Sequence, residues 1–388
     1  MGILANSVSI SQFAVEGDLP SGDLTTWVGE HLMARRFVNI DQSADELSVG
    51  WVELDDSSVG DFSLPAYSRD HYLFFSLRRD QRRIPPTLLR SYLELAQRDF
   101  LAANPGLNRV PKARREELKE AVYGSLLART LPTPAIFDAV WDTRCQRLTL
   151  ANLSPKVVDL FETQFRQSFP GLRLVPIHPY ARALSVVSPT CREALQQANG
   201  ARGDGILEMI RDNRWIGDDF LLWMMFATMN GSAAWRIDQP GPAAEGETFT
   251  AYLNDRLVLC GGGEEGTQKV TVSGPQSNFS EVCVALQNGK SISEAVLYLE
   301  KNENLWKLNL KGELFQFASY RAPAVHLEKD ALTDAASERE AVFFERMAVV
   351  EEGLQLFDSL FAAFLEQRLG AGWPATQRAI SAWLQGSL

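Results

Sequence analysis

The chain has 388 residues, 45% of them hydrophobic and 22% charged, with a formal net charge of −11. This length predicts two or three domains of ordinary globular composition and excludes a fibre or a disordered chain. Cys145, Cys191, Cys260 and Cys283 form no CxxC pair, which argues against a zinc ribbon and for reduced core thiols in a cytosolic protein.

Taken in chain order, Val8 to Val15 alternates as a strand, and Ser21 reads as the cap of a helix carrying Leu24, Trp27, Val28, His31 and Leu32. Val49 to Leu54 and Tyr72 to Leu77 read as strands. Pro85-Pro86 opens a helix running to about Ala103, with Leu88, Tyr92, Leu95 and Leu101 as packing residues, and Asn104-Pro105-Gly106 breaks it. Pro111 starts a second helix, whose row Leu118, Val122 and Leu126 packs while Lys112, Arg115 and Lys119 run alongside. Ile136 to Trp141 and Arg147 to Ala151 flank the turn Asp142-Thr143-Arg144, and Ser154-Pro155 begins a helix burying Val158, Phe161 and Phe165. Leu172 to Ile177 is a further strand.

Downstream, strands are expected at Thr248 to Tyr252, Arg256 to Leu259 and Lys269 to Val272, then a helix near Phe279 to Gln287 and strands near Ile292 to Leu299, Leu305 to Leu310 and Leu314 to Ser319. The fold class is α+β: two similar mixed sheet and helix units, the first from residues 1–84 and 131–182, the second from 248–325. A basic helical hairpin, 85–130, projects from the first unit. Residues 183–247 form a helical insertion, and 326–388 an acidic helical region, a solvated face over a Phe-rich core stripe that includes Phe357, Phe361 and Phe364. The longest apolar run, Phe220 to Met229, is shorter than the roughly 20 residues of a membrane helix. Met1 to Ser11 lacks a cationic-then-apolar leader, so neither export nor membrane insertion is expected.

Catalytic signatures fail one by one. Asn288-Gly289-Lys290-Ser291 has Val284 where a P-loop needs glycine and precedes a strand, so Gly289 reads as a helix C-cap. Gly261-Gly262-Gly263 reads as a flexible turn. His31, His71, His178 and His326 show no HxxxH or HExxH spacing. Glu117 and Lys119 mimic part of a nuclease motif but sit on a basic helix rather than a strand beside another carboxylate. No catalytic residue, metal or cofactor is assigned, and the chain is expected not to be an enzyme.

Charge distribution points elsewhere. Between Arg78 and Lys119 lie eleven of the 38 Lys and Arg residues with only five acids, a local +6 in an acidic protein. A basic surface on an acidic body suits a polyanion ligand that must be released. Lys112, Arg114 and Arg115 stand in the first turn of a helix, where the macrodipole disfavours cations by a few tenths of a kcal/mol each and a bound phosphate would reverse that cost. Few aromatic residues interleave with them, which favours recognition of the duplex backbone over stacking on single-strand bases. The candidate DNA contacts are Arg78, Arg79, Arg82, Arg83, Lys112, Arg114, Arg115 and Lys119.

Gly50-Trp51-Val52, the Arg-rich strand end before Ile84-Pro85, the long helix and Lys112 to Leu127 (KARREELKEAVYGSLL) resemble the RdgC recombination-associated proteins. Residues 136–142 and 147–176 resemble that family's hairpin, helix and strand. Val270 to Gly274, Ala285 to Lys290 and Ser291 to Leu299 resemble its second unit. The resemblance covers roughly residues 5–180 and 248–365. It implies a non-enzymatic, cytoplasmic, nucleoid-associated protein that closes as a head-to-head ring dimer around duplex DNA without sequence preference. It further implies restraint of RecA-dependent strand exchange, with RecA or its DNA filament as a possible partner. Ring-closing contacts are implied near Leu131 to Pro134 and near Gly274 to Ser277, giving Leu131, Pro134, Pro275 and Gln276 as candidates. The insertion at 183–247 and the lack of a lysine-rich loop near Gly274 depart from the family pattern. The alternative is a protein-interaction regulator that uses the acidic C-terminal helix and the apolar insertion without touching DNA.

Overall fold

The structure is a computed structural model and describes every residue except 1, 44, 59, 65, 232–233, 264–265, 275–278, 326–333 and 387–388. In chain order the elements are β1 (Ser7–Gly17), α1 (Leu24–Ala34), β2 (Leu47–Val52), β3 (Ser68–Arg69), β4 (Tyr72–Gln81), α2 (Pro86–Ala103), α3 (Lys112–Arg129), β5 (Thr133–Asp142), β6 (Arg147–Leu150), α4 (Pro155–Ser168) and β7 (Leu172–Pro176). There follow α5 (Pro179–Val186), α6 (Arg192–Gln197), α7 (Ile206–Asp212), α8 (Trp215–Asn230), β8 (Ala234–Arg236), β9 (Thr248–Gly263), β10 (Gly266–Ser273), α9 (Ser280–Gln287), β11 (Ser291–Lys301), β12 (Asn304–Lys311), β13 (Gln316–Arg321), α10 (Ala335–Leu369) and α11 (Trp373–Gly386). The protein is mixed α+β, with eleven helices among the described residues and a large, open antiparallel sheet. No described helix is long and apolar enough to cross a membrane.

Two compact units interleave along the chain: residues 17–143 with 160–173, and residues 1–16 with 144–159 and 174–388. In the smaller unit β4 lies between β2 and β5, with β3 on its end. Its core is aromatic. Trp51 meets Phe75 and Phe161 edge-on at 5.0 and 5.4 Å, and its indole N–H donates to Ser168 Oγ at 2.7 Å, so the one polar atom of the ring is satisfied where it is buried. Helix α1 is capped by Asp23, whose carboxylate accepts from the Thr25 and Thr26 N–H groups, and not by Ser21. The carboxylate two residues on reaches two otherwise orphaned donors where a hydroxyl would reach one.

In the larger unit the strand path is β10-β9-β11-β12-β13-β1-β6, with β8 beside β9. The two strands expected at 248–252 and 256–259 are a single strand, β9, which Asp255 at φ +63° kinks without ending. Gly261 to Gly263 extend that strand, paired with Gly266 to Gln268 of β10, where a flexible turn was expected. Gly289, at φ +77°, follows α9 as its C-terminal glycine.

Helix α10 carries the Phe-rich stripe of the acidic tail inside the core. Its segment Gly353 to Leu360 is wholly buried, with Phe357, Phe361 and Phe364 packed on Phe220 of α8, so the middle of the helix is core. Arg346 on the same helix is buried and donates to the carbonyls of Ile3, Ala5 and Pro323. The apolar run of α8 is likewise consumed: Phe220, Leu221, Trp223, Met224 and Met225 are buried.

Gly353 is where α10 and the sheet come closest. Tyr320 Oη donates to the Val350 carbonyl and Trp306 Nε1 to the Val349 carbonyl, both at 2.8 Å. A Cβ at position 353 would lie 2.1 Å from Tyr320 Oη and 2.4 Å from Trp306 Cδ1. Gly353→Ala is therefore expected to cost about 1–3 kcal/mol through overpacking. A lowered denaturant midpoint with unchanged slope checks it, and a stability equal to wild type refutes it.

Candidate nucleic-acid interface

The basic stretch begins on β4 and ends on α3. Strands β4 and β5 pair along their whole length, and the last pair joins Gln81 to Thr133. Residues 82–132 thus replace the turn of an ordinary β-hairpin and fold as α2 and α3. Pro86 at the first position of α2 and Pro111 before α3 preset the helical φ where no intrahelical N–H is needed. The hairpin is thinly anchored, for α2 has no buried residue and α3 only Leu126. On α2 the half-buried residues are Leu89, Leu93, Ala96, Gln97, Phe100 and Leu101; of the expected packing residues Leu101 is among them, while Leu88, Tyr92 and Leu95 are 39%, 42% and 50% exposed.

Arg82 was expected to contact DNA, and the structure corrects this. Its guanidinium is 2% exposed and surrounded by backbone carbonyls. Nη2 donates to Ile40 at 2.7 Å, Ser43 at 3.1 Å and Asp41 at 3.3 Å, and Nε to Asp45 at 3.1 Å. Nη1 donates to Leu127 at 3.3 Å and to Thr130. The last two carbonyls belong to the C-terminal end of α3, where the helix dipole favours a cation. Arg82 therefore ties the base of the hairpin to the 40–45 loop. Arg82→Ala would leave these acceptors without a donor and is expected to cost about 3 kcal/mol or more. That corresponds to a melting temperature lower by on the order of 10 °C; a shift under about 2 °C would show that the carbonyls find water instead.

Arg78 is also spent internally. It forms a two-pronged ion pair with buried Asp80, at 2.8 and 2.7 Å, donates to Ser57 O at 2.9 Å and lies 4.4 Å over the Phe37 ring. Its hydrogen bonds to the Asp80 carboxylate raise its pKa. Arg79 is half-buried over Phe137, and its Nε is buried without a hydrogen-bond partner. Arg83 is exposed, and its Nε donates to Gln81 Oε1 at 3.1 Å.

On α3 the picture differs. Lys112, Arg114, Arg115 and Lys119 are all exposed. Arg114 pairs with Glu117 one turn on and leans on Phe100, a surface contact worth little in water. Lys112, Arg115 and Lys119 make no ion pair among the described residues. Pro111 provides no side-chain cap and the first turn holds no acid, so its N–H groups and three cations face the same solvent. Arg90, Arg98 and Arg109 are exposed as well. From Arg83 to Glu120 this gives eight cations against five acids. The hairpin thus offers flexible cations and uncapped N–H donors, which suit phosphate oxygens, and no acid–base pair. Among the described residues no group of three or more His, Cys, Asp or Glu could hold a metal ion.

Of the implied ring-closing residues, Leu131 is 76% exposed and Pro134 is exposed on β5. Pro275 and Gln276 lie outside the described residues.

Residues 18–188 match a protein-family model described as "Putative exonuclease, RdgC". Over these residues the chain is similar to the RdgC family. The match takes in the whole hairpin and both strands that carry it, and bears out the resemblance drawn from Gly50-Trp51-Val52 and the α3 sequence. No curated protein matches the chain.

Proposed function

We propose that this protein binds duplex DNA without sequence preference through the exposed cations of the α2–α3 hairpin, as a homodimer that encircles the duplex and restrains RecA-dependent strand exchange. The observation that carries the reading is the first turn of α3. Lys112, Arg114 and Arg115 stand there with no acid and no side-chain cap, an arrangement that costs stability unless an anion is bound. The similarity of residues 18–188 to the RdgC family agrees with a role in recombination. The protein acts by shape and charge, without catalysis.

The burial of α8 and of the middle of α10 leaves a DNA-independent regulator less apolar surface to use. Only the family description favours a nuclease. Incubating linear duplex with the protein and Mg²⁺ separates the two readings, because shortening of the duplex would overturn the non-enzymatic one.

Because the exposed cations can reach phosphates and α3 displays no row of base-reading side chains, duplexes of unrelated sequence are expected to bind equally well. In gel-shift titrations, a preference above the roughly 1–3 kcal/mol typical of one mismatched base pair would establish direct readout. Light scattering without DNA is expected to give twice the 43.2 kDa chain mass.

A further inference from the structure

We propose that the larger unit holds a small monovalent anion, a halide such as chloride, between Arg182 Nη2 and Arg147 on the β1–β6 face of its sheet. The inference is independent of the DNA reading.

Ile10 pairs with Phe317, Gln12 with Thr149 and Ala14 with Arg147, so Ile10, Gln12, Phe317, Thr149 and Arg147 share one face of the sheet. Helices α5 and α10 bring Arg182 and Asp358 onto that face. Arg182 Nη1 donates to Gln12 Oε1 at 2.9 Å and Nε to Asp358 Oδ1 at 2.5 Å, and the guanidinium lies over Phe317. The enclosure is tight, with Gln12, Thr149 and Arg182 6%, 7% and 2% exposed.

Neither the donors nor the charges balance there. Arg182 Nη2 is buried and meets no acceptor among the described residues. A buried donor left in that state calls for an ion or a water. Thr149 Oγ accepts from Gln12 Nε2 at 3.4 Å, which leaves its hydroxyl hydrogen to donate elsewhere. Arg147, two positions along β6, is half-buried and makes no ion pair among the described residues. Burial pushes the Arg182 pKa down, Asp358 draws it up, and the charge of Arg147 pushes it down again. Two guanidinium groups therefore share one carboxylate away from water, where an uncompensated charge is costly. The surplus is a single positive charge among N–H and O–H donors. A water would satisfy Nη2 but leave that charge, and a phosphate would bring more charge and more oxygens than these donors serve. A halide supplies one charge and accepts from several donors at once.

The test is thermal unfolding of the DNA-free protein in sodium chloride and in sodium gluconate, whose anion is too bulky for an enclosed site, at matched ionic strength. Wild type is expected to melt roughly 3 °C or more higher in chloride, with a saturating dependence on concentration. In Arg147→Gln this increment is expected to fall below about a third, and in Thr149→Val to about half, while Lys156→Gln, exposed on α4, keeps it whole. In gluconate Arg147→Gln should melt at or above wild type, because it relieves the repulsion of Arg182. Bromide diffused into crystals should give an anomalous peak beside Arg182 Nη2. Equal melting of wild type in the two salts means that water fills the gap and overturns the proposal. An increment that Arg147→Gln and Thr149→Val both retain is surface screening and overturns it as well, as does the absence of bromide at Nη2.

Discussion

Replacing Lys112 and Arg115 together by glutamate is expected to weaken duplex binding by about 100-fold per subunit at 0.1 M salt. Each phosphate contact contributes a log-log salt slope of about −0.9, close to one decade of affinity at that concentration, and reversal adds repulsion to the lost attraction. The slope itself should become shallower by roughly 2 for each subunit engaged. Both side chains are exposed and form no ion pair among the described residues, so the melting temperature should stay within about 2 °C of wild type. Arg82→Ala is the mirror image: it should lower stability while the hairpin that still folds keeps its phosphate contacts. Fluorescence anisotropy across a salt series, run beside thermal unfolding, separates the two. Unchanged affinity and slope in the folded double variant would place the DNA surface elsewhere.

The largest stability effect is expected at Asp358. Its carboxylate accepts from Arg182 Nε at 2.5 Å, and Arg182 Nη1 donates to Gln12 Oε1 at 2.9 Å. The guanidinium lies 5.1 and 5.2 Å from the Phe317 and Phe357 ring centroids. Burial alone pushes the Arg182 pKa down, and the Asp358 charge pulls it back. Nη2 is buried without a hydrogen-bond partner, so the site has no second acceptor in reserve. Asp358→Ala leaves a buried cation without its counter-charge and should cost about 3–5 kcal/mol. Removing both charges with residues of similar volume, Arg182→Met with Asp358→Leu, should recover most of that loss or exceed wild type. Chemical denaturation of both variants decides it. An Asp358→Ala protein of wild-type stability would mean that water reaches the pair.

The contrast between Arg82 and Arg115 marks the limit of reading charge from sequence. Both belong to the basic stretch, yet Arg115 faces solvent and Arg82 is enclosed by carbonyls from the 40–45 loop and the end of α3. Nothing local distinguishes them, because the enclosure is made by residues about 40 positions before and after Arg82. Helix α2 failed in a different way. Its apolar residues satisfy two helical faces at once, and the choice of Leu89, Leu93 and Phe100 over Leu88, Tyr92 and Leu95 was made by the position of α3. In the acidic tail the Phe-rich stripe was legible as core from its helical spacing, whereas the burial of Asp358 beside Arg182 in the middle of that helix was not.

Local chemistry alone determined the places where the chain starts and stops its regular structure around the site. Pro86 and Pro111 begin the two hairpin helices, Asn104-Pro105-Gly106 separates them, and the helical spacing of Leu118, Val122 and Leu126 points one side of α3 inward. These features act through φ restriction, missing donors and 3.6-residue periodicity, all of which operate within a few residues. The α+β class and the concentration of cations between Arg78 and Lys119 were legible for the same reason. Only the tertiary structure decided which cations remain in water and which face of α2 stays open. Those outcomes depend on which backbone and side-chain groups distant segments bring into contact, and desolvation, unlike propensity, is a property of the assembled surroundings.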